Sequence, residues 1–188
     1  MTATPLLRKT FTVQEFRQIL ELDFLQDTRL ELLNGEIIDM GKIGPRHAAI
    51  VRRLTRLLSQ QLDPTQATLD VQNPIEISPN SQPQPDLSLL VSREDDYEAR
   101  HPLPSDVVLL IEVADTTLES DRKIKVPLYS QAGIPEVWLV DLNGKMLTAH
   151  RQPSPQGYRL VQLQSFDDTI SPLRLPDVSL SLRSLFPQ

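Results

Sequence analysis

The chain has 188 residues, of which 19 are Lys or Arg and 25 are Asp or Glu, so its formal charge at pH 7 is −6. Hydrophobic residues make up 39% of the sequence, which is typical of a folded soluble protein and excludes a disordered chain. No cysteine is present, which excludes disulfides, thiolate zinc sites and cysteine nucleophiles and favours a reducing, cytoplasmic location.

The N-terminal part of the chain contains a helix start, a hairpin signal and a longer helix. Residues 12–15 have the Thr-x-x-Glu spacing of a capping box, which predicts a short helix from this point. Asn34 and Gly35 favour a two-residue turn and predict a β-hairpin over residues 29–40. Apolar residues at helical spacing predict a second helix through residues 50–62.

Short apolar runs in the middle of the chain predict the strands of a sheet. We expect these strands at residues 67–71, 75–77, 87–91 and 107–113. The last run is almost continuously apolar, as in a strand covered on both faces, and Glu112 is its exception. Residues 92–105 are charged and flanked by proline, so we expect a solvated loop or a frayed helix there.

The C-terminal part returns to a helix and then to strands. Residues 121–132 are predicted to form a helix that bends at Pro127 and ends at Gly133. Further strands are expected at residues 137–141 and 146–151, around an Asn-Gly turn, with residues 158–163 and 178–182 extending the sheet at its edge. The elements predict one α/β domain over residues 1–188, with a mixed sheet flanked by helices and no membrane segment.

Common catalytic motifs are missing from the sequence. There is no Gly-x-Ser-x-Gly elbow, no phosphate-binding loop of the Gly-x-x-x-x-Gly-Lys type and no His-Glu-x-x-His helix. His47, His101 and His150 lack the spacing of metal ligands, so we expect each at a surface or helix-capping position.

Two carboxylates occupy unusual positions. Asp86 follows Gln84 and Pro85 at the mouth of one strand, and Glu112 lies near the end of the buried strand. Oxygen ligands of this kind suit Mg²⁺ or Mn²⁺, and an unpaired buried carboxylate costs several kcal/mol. Glu112 therefore requires a cation or another partner such as an arginine, unless its carboxylate lies in water at the end of the strand.

The helix that follows supplies lysines on two different sides. At about 100° per residue its apolar face includes Ile124 and Leu128, and Asp121 and Lys125 lie on or beside that face, whereas Lys123 lies opposite. Lys125 can therefore reach over the sheet end where Glu112 emerges. An i, i+4 ion pair between Asp121 and Lys125 would also account for both residues.

Three segments together resemble a known family. The stretch QPQPDLSLL at residues 82–90, the long stretch at residues 111–142 that begins IEVADTTLESDRKIK, and the hairpin RLELLNGEIIDM at residues 29–40 are similar to the putative restriction endonuclease family within the PD-(D/E)xK nuclease superfamily. The resemblance covers most of residues 12–142. It implies an α+β, restriction-endonuclease-like core with a central mixed β-sheet and an N-terminal hairpin.

The resemblance also implies roles for individual residues. Asp86 and Glu112 match the metal-binding acids, and Lys125 matches the catalytic lysine, with Lys123 as the alternative. The superfamily pattern places this lysine two residues after the acid, where this chain has Ala114. Accessory groups implied by the resemblance or by position on the helix face are Glu31, His47 and Asp121, although Glu31 is equally compatible with an exposed strand position.

The implied function is a Mg²⁺- or Mn²⁺-dependent endonuclease that hydrolyses DNA phosphodiester bonds. The alternatives are an inactive nuclease-fold protein that binds nucleic acid or protein, and an unrelated hydrolase with a carboxylate pair. Arg46, Arg53 and Arg56 share one side of the second helix, which would follow a DNA backbone, form a subunit contact or be merely solvated. A homodimer is expected because cutting both strands of a duplex favours two-fold symmetry.

Overall fold

The computed structural model describes residues 8–25 and 28–186. The helices are α1 (Val13–Leu20), α2 (Pro45–Ser59), α3 (Leu118–Ser120), α4 (Val126–Gln131) and α5 (Leu182–Leu185), with 3₁₀ turns at Asp23–Leu25 and Pro104–Asp106 and a π-helical turn at Asp121–Lys125. The strands are β1 (Leu30–Leu33), β2 (Glu36–Asp39), β3 (Ala67–Val71), β4 (Leu87–Val91), β5 (Val107–Ala114), β6 (Glu136–Asp141), β7 (Met146–Arg151), β8 (Leu160–Gln164), β9 (Thr169–Ile170) and β10 (Leu180–Ser181).

A six-stranded mixed sheet with the order β3-β4-β5-β6-β7-β8 forms the centre of the fold. β5 and β6 are parallel, and the other neighbouring strands in this sheet are antiparallel. A parallel pair needs a crossover connection, which α3, the π turn and α4 provide. The mixed sheet and its flanking helices confirm the predicted fold class.

Both faces of the sheet are covered, as the apolar sequence of β5 predicts. All eight side chains of β5 are buried. Ile111 and Val113 belong to the core that includes Leu54 of α2, whereas Leu110 and Ala114 belong to the opposite core, which contains side chains of α4. Because side chains alternate along a strand, Glu112 points to the α4 side of the sheet.

The two local signals near the N-terminus are confirmed. Thr12 caps α1 in a full capping box with Glu15. β1 and β2 pair antiparallel around Asn34 and Gly35, whose φ angles of 52° and 80° are both positive. This conformation is the one that a two-residue hairpin turn requires.

The expected strand at residues 75–77 is wrong. Pro74 has no N–H, and the N–H groups of Ile75 and Ile77 bond to Pro83 and Ser81 within the following loop. Ile75 and Ile77 are buried all the same, so their apolar character reflects packing under the hairpin rather than a strand.

Two C-terminal expectations also need correction. The expected helix at residues 121–132 begins earlier, at α3, and its first turns include the π turn directly before Pro127. Residues 160–164 extend the sheet as expected, but the segment at residues 178–182 does not, because β10 pairs with β9 in a separate two-stranded sheet. Among the described residues, no helix is both long enough and apolar enough to span a membrane.

Candidate active site

Asp86 is held at the start of β4, next to the end of β5. The register pairs Leu87 with Ile111, so one residue further along Asp86 lies beside Glu112. Its Oδ2 accepts hydrogen bonds from His47 Nε2 at 3.0 Å and from the backbone N–H of Val113 at 2.9 Å. Its Oδ1 accepts from Gln72 Nε2 at 3.1 Å. The orientation of the buried Asp86 carboxylate is therefore fixed from three elements.

Glu112 meets a lysine and a tyrosine from the crossover connection. Lys125 Nζ lies 3.3 and 3.4 Å from the two oxygens of Glu112, and the hydroxyl of Tyr129 donates to Glu112 Oε1 at 2.5 Å. All three side chains are buried. The expectation that Glu112 requires a partner is thus met by Lys125 and Tyr129 rather than by water or an arginine.

The hairpin contributes a second buried acid to the same cluster. Glu31 lies on β1 and is 1% exposed, which makes the exposed alternative wrong for this residue. Its Oε1 accepts from Lys125 Nζ at 2.9 Å, whereas its Oε2 has no hydrogen-bond partner among the described residues. Asp121, also buried, accepts a hydrogen bond from Thr117 Oγ1 at 2.6 Å.

The two candidate lysines have opposite environments. Lys125 is 3% exposed and pairs with Glu31 and Glu112. The side chain of Lys123 is 72% exposed and pairs with Glu119 in the solvent. Lys125, the lysine that the face argument selects, is therefore the one that joins the cluster, although its ion pairs run to the hairpin and to β5 rather than to Asp121.

The π turn presents Lys125 to the cluster. Pro127 lacks the N–H that would close an α-helical hydrogen bond, and Val126 N–H bonds to Asp121 O, five residues earlier. Single π turns of this kind recur at functional sites.

One cavity of about 190 Å³ connects these groups. The predicted site residues that line it are Glu31, His47, Asp86, Glu112, Asp121 and Lys125. Arg29, Lys42 and Asp115 are further charged residues in its wall. The structure thus brings together the predicted acids, the predicted lysine and all three accessory candidates.

The pKa values of the acids in the cluster shift in different directions. Burial raises the pKa of Glu112 well above its usual value, and Lys125 offsets only part of this effect. Burial likewise raises the pKa of Glu31 and that of Asp121. Burial alone would raise the pKa of Asp86 too, but the hydrogen bond from His47 and further hydrogen bonds outweigh it, so this pKa lies below its usual range.

Lys125 remains protonated in this environment. Burial would lower its pKa, but the carboxyls of Glu112, Glu31 and Asp121 outweigh the loss of solvation and raise the pKa above the usual value for lysine. Lys125 is therefore suited to donate hydrogen bonds and to stabilise negative charge, and not to accept a proton near neutral pH.

The cluster contains carboxylate oxygens, the ligand type that Mg²⁺ and Mn²⁺ prefer. Four buried carboxyls face one ammonium, so the buried groups carry excess negative charge when ionised, and Glu31 Oε2 is a carboxylate oxygen without a partner. Among the described residues, however, no three Asp, Glu, His or Cys side chains are already arranged as ligands around one point. A cation bound here would use the remaining lone pairs of Asp86, whose Oδ1 accepts one hydrogen bond, and would compete with Lys125 and Tyr129 for Glu112.

The three arginines of α2 do not form one surface. Arg46 lies at the rim of the site and bonds to Asp115 at 2.9 Å. Arg46 and Arg53 line one groove, whereas Arg56 lines a different groove together with Arg52.

Sequence reasoning missed two residues that hold the acids in place. Tyr129 lies four residues after Lys125 and therefore on the same helix face, a spacing that could have identified it. Gln72 follows β3 with a φ of 53°. It binds Asp86 through its side chain and through its backbone N–H, and no local sequence pattern marks it.

The central mixed sheet and its flanking helices place the protein in the nuclease-fold class. The structure is similar to a crystal structure of a putative nuclease belonging to DUF820 from Anabaena variabilis, with a TM-score of 0.73, 17% sequence identity and coverage of 94% of this chain and 97% of that chain. The family model described as "Putative restriction endonuclease" (Uma2) matches residues 13–183. The chain therefore belongs to that family. No curated protein sequence matches it.

Proposed function

We propose that the protein is a divalent-metal-dependent endonuclease that hydrolyses DNA phosphodiester bonds at the cavity between β1, β5 and the π turn. The observation that carries this proposal is the set of four buried carboxyls and one buried lysine around a single cavity. Such a cluster is costly to fold, because buried charges lose their hydration. This cost favours a functional role for the cluster. Membership of the family described as putative restriction endonuclease supports the same chemistry.

In this proposal Asp86 and Glu112 hold the cation, which is Mg²⁺ or Mn²⁺. The bound cation would polarise the scissile phosphate and lower the pKa of the attacking water. Hydrogen bonds from His47, Val113 and Gln72 keep Asp86 in one orientation. A carboxylate positioned in this way loses little conformational freedom when it binds.

Lys125 stabilises charge during the reaction. Its raised pKa keeps it protonated, so it can donate hydrogen bonds to the phosphate oxygens as negative charge develops on them. Tyr129 is linked to Lys125 through Glu112, which both side chains contact, and Glu31 forms a direct ion pair with Lys125. We assign both as positioning residues, with the unpartnered Oε2 of Glu31 available as an additional oxygen ligand.

DNA is the proposed substrate despite the net charge of −6. Arg29 and Lys42 line the mouth of the cavity, and Arg46 lies at its rim. Arginines near the site would neutralise phosphates and make the affinity depend on salt. Alanine at Arg29, Lys42 and Arg46 together is expected to reduce the salt dependence of DNA binding, and an unchanged salt slope would remove the rim of the cavity from the DNA-binding surface.

The test combines metal binding with strand cleavage. Mg²⁺ and Mn²⁺ are titrated by calorimetry into the wild type, Asp86→Asn and Glu112→Gln, and nicking of supercoiled plasmid is followed in the same samples. Glu98→Gln is the matched control, since Glu98 is an exposed acid. We expect metal binding and nicking to be lost in both site variants and kept in the control.

The opposite result would favour an inactive nuclease-fold protein. A folded wild type that binds no metal in the presence of DNA, and that nicks no plasmid, would refute the metallonuclease proposal. If the wild type binds metal but does not nick plasmid, the proposed metal site would stand and the proposed DNA substrate would be refuted.

A further inference from the structure

β8 forms one edge of the central sheet. It pairs with β7 on one side, and its outer side has no strand partner among residues 8–25 and 28–186. Alternate backbone N–H and C=O groups of an edge strand point away from its single neighbour. Residues 160–164 therefore offer a row of unpaired hydrogen-bonding groups to the solvent.

The side chains of β8 do not protect this edge. Val161 and Leu163 are 54% and 58% exposed, and they lie on the same face of the strand because they are two residues apart. Single exposed apolar residues are ordinary on protein surfaces, but here two neighbours share one free edge. Residues 160–164 contain no charge and no proline, the features with which natural edge strands block pairing.

The strand is complementary to itself in the antiparallel direction. When Gln162 of one copy lies opposite Gln162 of another, Val161 of each copy faces Leu163 of the other, and Leu160 faces Gln164. Moving the centre of this pairing by one residue to Val161 would place Leu163 opposite the charged Arg159. The register centred on Gln162 is therefore the one that matches apolar side chains with apolar side chains.

We propose that the partner of this edge is a second copy of the chain, paired through β8 to give a continuous sheet of twelve strands. In this register Arg159 of one copy lies opposite the uncharged Ser165 of the other, so no like charges meet at either end of the pairing. An isologous contact of this kind closes at two subunits and leaves no free β8 edge.

The proposed interface is small. Pairing of five residues per copy buries less than the roughly 800 Å² per partner of a standard stable interface. We therefore expect a weak dimer whose population rises with concentration, in the micromolar to millimolar range. The interface lies at the opposite end of the sheet order from the β4–β5 site, so it is independent of the proposed catalytic function.

Sedimentation velocity across this concentration range tests the proposal on the full chain. Gln162→Pro and Leu163→Lys should each weaken the dimer by about tenfold or more, because the first removes a backbone donor and the second introduces a charge opposite an apolar side chain. Phe24→Lys is the control, since Phe24 is a more exposed apolar residue on another element. Circular dichroism and urea unfolding show whether each variant has folded.

The absence of cysteine from the chain permits a direct test of register. In the proposed pairing the two Gln162 Cα atoms lie within the distance that a disulfide spans. Gln162→Cys should therefore cross-link under mild oxidation, and Cys at Phe24 should not. A monomeric wild type throughout the range, or a dimer that Gln162→Pro and Leu163→Lys leave intact, would overturn the proposal.

Discussion

Replacing Lys125 by Met should destabilise the protein strongly at neutral pH. Lys125 is the buried ammonium of the cluster and lies 2.9 Å from Glu31 and 3.3 Å from Glu112. Without it, the acids must be protonated in the folded state. For one glutamate of ordinary pKa 4.5, protonation at pH 7 costs about 3.4 kcal/mol, which falls within the roughly 3–5 kcal/mol expected when one partner of a buried ion pair is removed.

The loss of stability in Lys125→Met should depend on pH. A carboxyl whose pKa is raised in the folded state binds its proton more tightly there, so stability falls as the pH rises above the unfolded pKa. The free energy of unfolding that Lys125→Met loses relative to the wild type should therefore fall to about 1 kcal/mol near pH 5 and reach its full value near pH 7.

Urea unfolding at these two pH values measures the effect, with Lys123→Met as the matched control. Lys123 is mostly exposed and pairs with an exposed acid, so its replacement should leave stability unchanged. Equal stability of the two variants at neutral pH, or a deficit for Lys125→Met that does not change with pH, would refute the ionic account of the cluster.

Three further predictions concern other sites. Burial lowers the pKa of His150 to about 4, so the wild type should lose stability as the pH falls below about 6.5, and His150→Phe should gain about 1–2 kcal/mol relative to it between pH 7.5 and pH 5 in urea unfolding. Tyr129→Phe removes the hydrogen bond to Glu112 and should cost about 1–2 kcal/mol in the same assay. Gly35→Ala should lower the thermal midpoint, because the added Cβ would lie 2.7 Å from Thr10 Cβ at a φ of +80°.

Each of these predictions has a control. A pH profile of His150→Phe parallel to that of the wild type would show that His150 does not titrate as described. Tyr97→Phe controls for loss of a hydroxyl, since Tyr97 bonds to a backbone carbonyl away from the acids. Asn34→Gly should be tolerated at its positive φ, and a stable Gly35→Ala variant would contradict the close approach to Thr10.

Local signals predicted the parts of the structure that depend on neighbouring residues. The Asn34-Gly35 turn needs positive φ at both positions, and the sequence supplies residues that adopt it. Glu112 stood out because a single acid interrupted an apolar strand. Helix periodicity placed Lys125 beside Leu128, which is buried, but the predicted apolar face was only partly right, because Ile124 is 41% exposed.

Features that depend on tertiary packing were not predictable in this way. Ile75 and Ile77 are as apolar as a short strand, but their backbone partners lie in a loop. Arg46 and Arg56 share a side of an ideal helix, yet neighbouring elements divide that side into two grooves. The contacts of Gln72 with Asp86 join positions 14 residues apart, and nothing in the local sequence indicates them.

The parallel pairing of β5 and β6 has a consequence for recognising related proteins from sequence. Because the crossover passes back over the end of β5, its helix brings a lysine to Glu112 from 13 residues further along the chain. A search pattern that requires an acid, one intervening residue and a lysine would read Ala114 and reject this chain. Searches that allow the amino group to come either from the strand or from the crossover helix would retain it.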